Sequence, residues 1–138
     1  MAQMIQADWA KVGVNARIVT YEWGEYLRRI DAGEHDAALS GWNGDPEPAN
    51  TAGQLACGAA SGTFWCNPAY DKLLAEARQA LRREERQALY AKAQRLAMAE
   101  LPWTPIAYGA LAVPLRASVK GIVVELDGSI YLDGVLPK

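Results

Sequence analysis

The sequence has few of the residues from which metal sites and many active sites are built. Its 138 residues include one histidine, His35, and two cysteines, Cys57 and Cys66. A structural zinc site needs about four such ligands at close spacing, so we expect no bound metal. The sequence also has no glycine-rich phosphate loop, no Rossmann glycine pattern and no G-x-S-x-G motif. We therefore expect no cofactor either.

Long apolar runs and an excess of positive charge are also absent. No run approaches the roughly 18 to 20 apolar residues of a membrane-spanning helix, and no charged-then-apolar export signal follows Met1. The formal net charge is -2 at pH 7, whereas nucleic-acid binding needs a cationic surface that neutralises phosphates. We therefore expect no spanning helix, no export signal in this chain and no nucleic-acid partner.

What the sequence does contain is the pattern of an α/β fold. Hydrophobic residues make up 51% of it, enough for a core. Apolar residues at helical spacing predict a helix over residues 2–12, and a strand over 14–20 follows. A second helix begins at Trp23 and ends at Gly33, and residues 35–42 predict a second strand. This order predicts a βαβ unit, whose strands are parallel in nearly all known cases.

The second half predicts a helical hairpin and a β-rich tail. Asn67 followed by Pro68 is typical of a helix start, and the helix after it carries an apolar face. Residues 83–101 are rich in strong helix formers and end before Pro102. The two helices therefore predict an antiparallel hairpin. Short β-rich segments broken by glycine, proline and aspartate follow at residues 105–115, 119–126 and 129–134.

The two cysteines flank a segment of small and turn-forming residues, "GAASGTFW". A disulfide between Cys57 and Cys66 is sterically easy across such a loop, and two free buried thiols are the alternative. We expect the disulfide, which would indicate an oxidising compartment.

The stretch "SGWNGD" has a tryptophan and an aspartate, both able to contact a ligand, where the second predicted strand ends. Ligands of parallel α/β sheets bind outside the carboxyl ends of the strands, because the loops diverge there. The carboxylate of Asp45 can only accept hydrogen bonds, which suits an ammonium group, and Trp42 supplies a large apolar wall. The alternative is that Asp45 closes an Asx turn and that Trp42 belongs to the core.

Other carboxylates could form a catalytic pair. Asp45 with Glu47, or Glu34 and Asp36 around His35, could serve as general acid and base, but a paired-carboxylate mechanism needs two groups held at a defined distance. Nothing in the spacing enforces that distance. We expect a solvated turn at residues 34–36, no catalytic residues and no enzyme.

Three segments carry a resemblance to a known family: "MIQADWAKVGVNARIVTYEWGEYLRRIDAGEHDAALSGWNGD", "FWCNPAYDKLLAEAR" and "VPLRASVKGIVVE". Together they resemble the C-terminal part of the dipeptide-binding proteins, which are periplasmic solute-binding subunits of ABC peptide importers. The likeness runs along the whole chain. Its most specific elements are the E-W after the first predicted strand, the G-W-x-x-D at the end of the second and the C-N-P-x-Y-D before a helix.

The resemblance implies a two-lobed receptor that closes on a di- or short peptide. It implies that Asp45 receives the free α-amine of the peptide and that backbone oxygens from Gly41 to Asn43 accept further N–H groups. Trp23 and Trp42 would line the pocket. The expected partners are the peptide and the membrane permease of the importer, and the expected location is the periplasm.

The resemblance also implies how the chain divides. Residues 1–112 would be part of the second, ligand-binding lobe, and residues 113–138 would cross the hinge to add strands to a first lobe absent from this chain. Self-association through the unpaired tail is then possible. A receptor for haem, glutathione or a nickel chelate on the same scaffold is the alternative, since fold does not fix ligand. Two further hypotheses remain: a freestanding interaction module, and a hydrolase built on Asp45 and Glu47.

Overall fold

The computed structural model describes residues 1–42, 47–109, 112–125, 128–132 and 134–137. The described residues form two compact units, Met1–Gly41 with Ala60–Gly62, and Trp42–Ala59 with Thr63–Lys138. The helices are α1 (Ala2–Lys11), α2 (Trp23–Asp31), α3 (Pro48–Gly53), α4 (Pro68–Gln79) and α5 (Arg83–Glu100). The strands are β1 (Val119–Lys120), β2 (Val123–Val124), β3 (Ile130–Tyr131) and β4 (Leu136–Pro137).

Both helices of the first unit confirm the sequence pattern. Helix α1 begins without a side-chain cap, and Gly13 after its end has a φ of 85°, a conformation that glycine adopts without strain. Helix α2 begins at Glu22, whose carboxylate accepts hydrogen bonds from the backbone N–H groups of Gly24 and Glu25. It ends at Asp31, two residues before Gly33.

The two strands predicted around α2 are not formed as regular strands. Residues 14–20 and 35–42 form no regular strand in the structure, so the prediction of the two strands of the βαβ unit is wrong. Parallel strands occur almost only in sheets that are covered on both faces. Here Val14, Ile18, Val19 and Leu39 are all exposed, so these segments lack the cover that a parallel ladder requires.

Residues 60–62 join the first unit through α2 and His35. Ile30 is the buried residue of α2, and Gly62 lies so close to it that a Cβ atom there would clash with Ile30 Cγ2. His35 Nε2 lies 3.0 Å from the carbonyl oxygen of Gly62. Glycine is therefore required at residue 62 both for space and for its φ of 69°.

The core of the second unit lies in the predicted hairpin of α4 and α5. Tyr70 and Leu74 of α4 are buried against Ala93 and Ala97 of α5. Half-buried apolar residues pack around these four: Ala52, Leu55, Ala56, Trp65, Leu73, Tyr90 and Leu96. The apolar face predicted from the sequence is therefore the face that is buried.

The start of α4 is fixed by several contacts. Asn67 Oδ1 accepts from the N–H groups of Ala69 and Tyr70 at 2.9 and 3.3 Å, which confirms the predicted cap. The disulfide between Cys57 and Cys66 is present, as predicted. The Asp71 carboxylate accepts from Cys57 N–H at 3.1 Å. The disulfide thus closes the loop before α4, and the bond to Asp71 joins that loop to the helix.

Helix α3 is an element that the sequence pattern did not predict. Glu47 caps it by accepting from Ala49 N–H, and Pro48 occupies its first turn. The hydroxyl of Tyr70 donates to the carbonyl oxygen of Ala52 at 2.8 Å, so α3 is tied to the core of the hairpin.

The tail forms β structure as two short antiparallel pairs, three of whose strands lie in the predicted segments 119–126 and 129–134. The described residues of the predicted segment 105–115 form no strand, and β4 lies after the last predicted segment. Strand β1 pairs with β4, and β2 pairs with β3. The apolar side chains of Leu115, Val123, Val124, Ile130 and Tyr131 remain exposed. Among the helices of the described residues, none has the length and apolar character to cross a membrane.

Candidate functional site

The structure describes three of the five predicted ligand-binding residues. Asp45 and Asn43 lie outside the described residues. Trp23 and Gly41 belong to the first unit, and Trp42 belongs to the second. Gly41 is uncrowded, since a Cβ atom built there would meet nothing within 4 Å.

Trp42 packs against Trp103, which is not among the predicted ligand-binding residues. Its ring lies 4.8 Å from the ring of Trp103, centroid to centroid, with 32° between the ring planes. Trp42 remains 46% exposed in this arrangement, whereas Trp103 is half-buried. One part of the Trp42 indole is thus supported by protein, and another part stays open to solvent.

Trp23 has an aromatic neighbour within its own helix. Its ring stacks on that of Tyr26 at 5.7 Å with 24° between the planes, and it is itself exposed. The Tyr26 hydroxyl donates a hydrogen bond to the carbonyl oxygen of Leu39. Burial raises the pKa of Tyr26, and the bond to Leu39 opposes that rise. This bond ties α2 to the segment that leads towards Gly41.

Glu47, the carboxylate that follows the predicted site, has structural contacts. One oxygen accepts from Ala49 N–H at 3.3 Å and caps α3, and the other lies 3.7 Å from Arg86 Nη1 of α5. A carboxylate engaged in a helix cap and an ion pair stabilises structure. These contacts give no support to Glu47 as a general acid or base.

The charged residues near His35 form ion pairs at the surface of the first unit. Glu25 accepts from Arg28 and Arg29, and both arginines also contact Glu34. The hydrogen bond from Arg28 is the main cause that lowers the pKa of Glu25 to about 2, and Arg28 also lowers the pKa of Glu34. Both carboxylates therefore stay ionised at neutral pH.

The prediction of a solvated turn at residues 34–36 is correct only in part. Glu34 and Asp36 are exposed, but His35 is half-buried against the Gly62 carbonyl. No group of three or more metal-ligating side chains is close enough to hold a metal within the part of the chain that the structure describes.

Comparison with known proteins identifies the relatives of this chain. Residues 1–63 match the family described as "Bacterial extracellular solute-binding proteins, family 5 Middle". The chain is 46% identical to a dipeptide-binding protein of Pseudomonas aeruginosa, over 91% of this chain and 24% of that protein. It is also 40% identical to heme-binding protein A of Haemophilus influenzae, over 98% of this chain and 25% of the relative.

A solved structure agrees with these relatives. The dipeptide binding protein from Pseudoalteromonas sp. SM9913, crystallised in complex with Met-Leu, superposes with a TM-score of 0.83 at 36% identity. The match covers 100% of this chain and 28% of that protein. The predicted family and fold class are therefore confirmed. The chain spans about a quarter of the length of the curated relatives it matches. Solute-binding proteins are non-enzymatic components of transport, so the prediction of no enzyme is confirmed as well.

Proposed function

Because the chain belongs to the family 5 bacterial extracellular solute-binding proteins, we propose that it is part of a periplasmic receptor that captures short peptides. The receptor would deliver its peptide to the permease of an ABC importer. The support for a peptide ligand is the relatedness to a dipeptide-binding protein at 46% identity over nearly the whole chain. Recognition would proceed without chemistry.

In this proposal the peptide amine binds the carboxylate of Asp45. Backbone oxygens of Gly41 and Asn43 accept further N–H groups, and Trp23 and Trp42 form apolar walls. The observation that carries the proposal is the Trp42 side chain: it is 46% exposed although it packs on Trp103. A supported but open indole three residues before a carboxylate offers an apolar wall near a charge, which suits a ligand with an ammonium group and an apolar body.

The division of the chain is part of the proposal. Residues 1–112 would belong to the second lobe, and residues 113–138 would cross the hinge to the first lobe. The exposed apolar side chains of Leu115, Val123 and Val124 support this division, because such residues are usually covered in a complete protein.

The experiment uses a chimera in which this chain replaces the matching quarter of the Pseudomonas aeruginosa dipeptide-binding protein. Removing one partner of a desolvated charge pair costs about 3 to 5 kcal/mol, so Asp45→Asn should weaken dipeptide binding by about a hundredfold or more. N-acetylated dipeptides should bind poorly and should be affected less, because they carry no ammonium. Calorimetry of both ligands with both proteins measures this double cycle.

The matched control is Asp36→Asn, which removes an exposed carboxylate of the first unit and should leave both affinities unchanged. Equal losses for free and acetylated dipeptides on Asp45→Asn would show that the carboxylate does not bind the amine. The Asx-turn interpretation of Asp45 would then stand.

Haem is the second candidate ligand, because heme-binding protein A is 40% identical to the chain over 98% of its length. The same chimera separates the two candidates. Saturable haem binding, measured by its absorbance, without measurable dipeptide binding would favour haem. Dipeptide binding that haem does not compete with would favour the peptide.

Binding by the chain alone should be weak. A closing receptor gains affinity by burying its ligand between two lobes, and one open surface leaves an ion pair exposed to water and worth little. Submicromolar dipeptide affinity of the 138-residue chain, measured by calorimetry, would contradict this.

Self-association is the behaviour we propose for the tail of the separate chain. Its strands are two residues long, and Val123, Val124, Ile130 and Tyr131 are exposed. Exposed apolar strands at sheet edges tend to pair with other chains. Light scattering should show a dimer or larger species that Val123→Lys shifts towards the monomer. A monomer at all concentrations, with the tail protected from hydrogen exchange, would contradict the proposal and would also disfavour a freestanding interaction module.

A further inference from the structure

The pair of Trp42 and Trp103 offers more aromatic surface than Trp42 alone. The centroids lie 4.8 Å apart, and the planes are inclined by 32° rather than parallel. Because the two indole planes are inclined, the rings do not stack face to face. Since Trp42 is 46% exposed, an apolar group from solution can reach the indole that Trp103 supports.

Trp103 follows a helix end that is firmly held. Leu101, with a φ of 48°, ends α5 and donates its N–H to the carbonyl oxygen of Ala97 at 2.8 Å. The Glu100 carboxylate accepts from Trp65 Nε1 and from Asn67 Nδ2, each at 2.7 Å. The buried Ala97 anchors the same turn in the core. Trp103 therefore lies two residues after a helix end that is hydrogen-bonded to the residues before α4 and anchored in the core of the second unit.

Helix α5 also contacts Glu47, the first described residue after Asp45 in sequence. Arg86 in its first turns lies 3.7 Å from Glu47, which caps α3. Residues 42 and 47 are thus each in contact with α5 or with the segment directly after it. Two independent contacts, the ionic one of Arg86 in α5 and the aromatic one of Trp103 just after it, reach the neighbours of Asp45.

We infer that Trp103 is a positioning and specificity residue, which holds the Trp42 indole and with it binds an apolar or aromatic side chain of the ligand. The inference rests on the proposed function, because it assigns the side-chain preference of the same site. Aromatic rings contact each other favourably at centroid distances of about 4.5 to 7 Å in offset or inclined arrangements. A phenylalanine side chain should therefore be preferred over alanine, whereas an aspartate or glutamate side chain should gain nothing from this surface.

The experiment uses the 138-residue chain with 15N-labelled indoles. Its five tryptophans give five Nε1–H signals, which single Trp→Phe variants assign. Titration with Phe-Ala at millimolar concentrations should shift the signals of Trp42 and Trp103 in a saturable way. Binding should be about fivefold tighter than that of Ala-Ala, the size expected for one aromatic contact. Trp103→Ala should abolish that preference, and Trp103→Phe should retain most of it.

The matched control is Tyr108→Ala, since Tyr108 is an aromatic residue of the same segment that is 97% exposed. It should leave the preference unchanged. If Trp103→Ala fails to fold, Trp103→Leu keeps an apolar support, and the preference should fall below that of Trp103→Phe. No shift of either indole signal, or a preference that survives in folded Trp103→Ala or Trp103→Leu, would overturn the inference.

A second pair of probes separates this inference from the role of Asp45. If the carboxylate does not bind the amine, N-acetyl-Phe-Ala and Phe-Ala should bind alike. The preference for N-acetyl-Phe-Ala over N-acetyl-Ala-Ala should nevertheless persist and should depend on Trp103. If amine recognition holds but side-chain preference does not change in the Trp103 variants, the inference alone fails.

Discussion

Helix α2 and the hairpin of α4 and α5 are held by different forces. In the hairpin, Tyr70, Leu74 and Ala97 are buried in a shared core. In α2 only Ile30 is buried, while Trp23 and Leu27 are exposed. The main side-chain contacts of α2 are ion pairs at its surface.

The difference shows what an amphipathic pattern does and does not determine. Both regions have apolar residues at helical spacing, and both form the predicted helices. The pattern does not say which surface will cover the apolar face. The hairpin supplies its own cover, because its second helix follows directly in sequence. The described residues cover the apolar face of α2 only in part.

The largest difference between the two regions should appear in core substitutions. Leu74 is 3% exposed, so Leu74→Ala should reduce the free energy of unfolding by about 2 to 4 kcal/mol through lost burial and a cavity. Leu27 is 39% exposed, so Leu27→Ala should cost less than about 1 kcal/mol. Urea denaturation followed by circular dichroism measures both. Similar losses for the two variants would show that α2 is covered as well as the hairpin is.

The disulfide between Cys57 and Cys66 should stabilise the unit that contains the hairpin. The chain-entropy model gives about 2.5 to 3 kcal/mol for a loop of about ten residues. The Cys57→Ser, Cys66→Ser double variant should lose about that much, measured by urea denaturation without reductant. Reductant should destabilise the unmodified chain by a similar amount and leave the double variant unchanged. Mass spectrometry of non-reduced peptides checks the pairing, and two alkylatable thiols would contradict it.

The same contrast explains which features could be predicted from the sequence. The start of α4, its apolar face and the disulfide depend on residues near each other in sequence, such as Asn67 and Pro68. Local rules were sufficient there. Helix α3 carries a similar signal, since Glu47 caps it and Pro48 follows. It was missed because only six residues are helical, too few for an apolar period to be visible.

Features that depend on distant residues could not be predicted in this way. Residues 14–20 have the β-branched pattern of a strand, yet a parallel ladder needs cover that the described residues do not supply. The contact of Trp42 with Trp103 joins residues far apart in sequence, and no spacing rule connects them. The strand-end argument and the family resemblance both selected Trp42 and Asp45, but neither selected Trp103.

The two helix caps give a smaller test of the comparison. Asn67 caps α4 and also donates to the Glu100 carboxylate at 2.7 Å, so Asn67→Ala should cost about 1 to 2 kcal/mol. Glu22 only caps α2, and Glu22→Ala should cost about 0.5 kcal/mol. Thermal unfolding of the two variants measures the difference. An equal loss would mean that the bond to Glu100 adds no stability. Asn67→Ser, which keeps a capping oxygen but removes the amide donor, tests that bond.

The smallest effect should come from the ion pairs of α2, and it should depend on pH. The hydrogen bond from Arg28 is the main cause that lowers the pKa of Glu25 from 4.5 to about 2, while desolvation opposes it and Arg29 assists. A carboxyl group with a lowered folded-state pKa stabilises the fold above its unfolded-state pKa and loses that effect as the pH falls. Glu25→Gln should therefore lower the unfolding temperature slightly at pH 7, by an amount that shrinks below about pH 4.5 and disappears near pH 2. The pair is exposed to solvent, so salt should weaken the effect too. Carboxyl carbon shifts in NMR give the titration midpoint of Glu25 directly. Arg28→Gln should raise that midpoint towards 4.5, whereas Arg17→Gln, an exposed arginine of the same unit, should not. A midpoint near 4.5 in the unmodified chain would mean that the ion pairs do not persist in solution, and α2 would then depend on Ile30, its cap and the contacts of Tyr26.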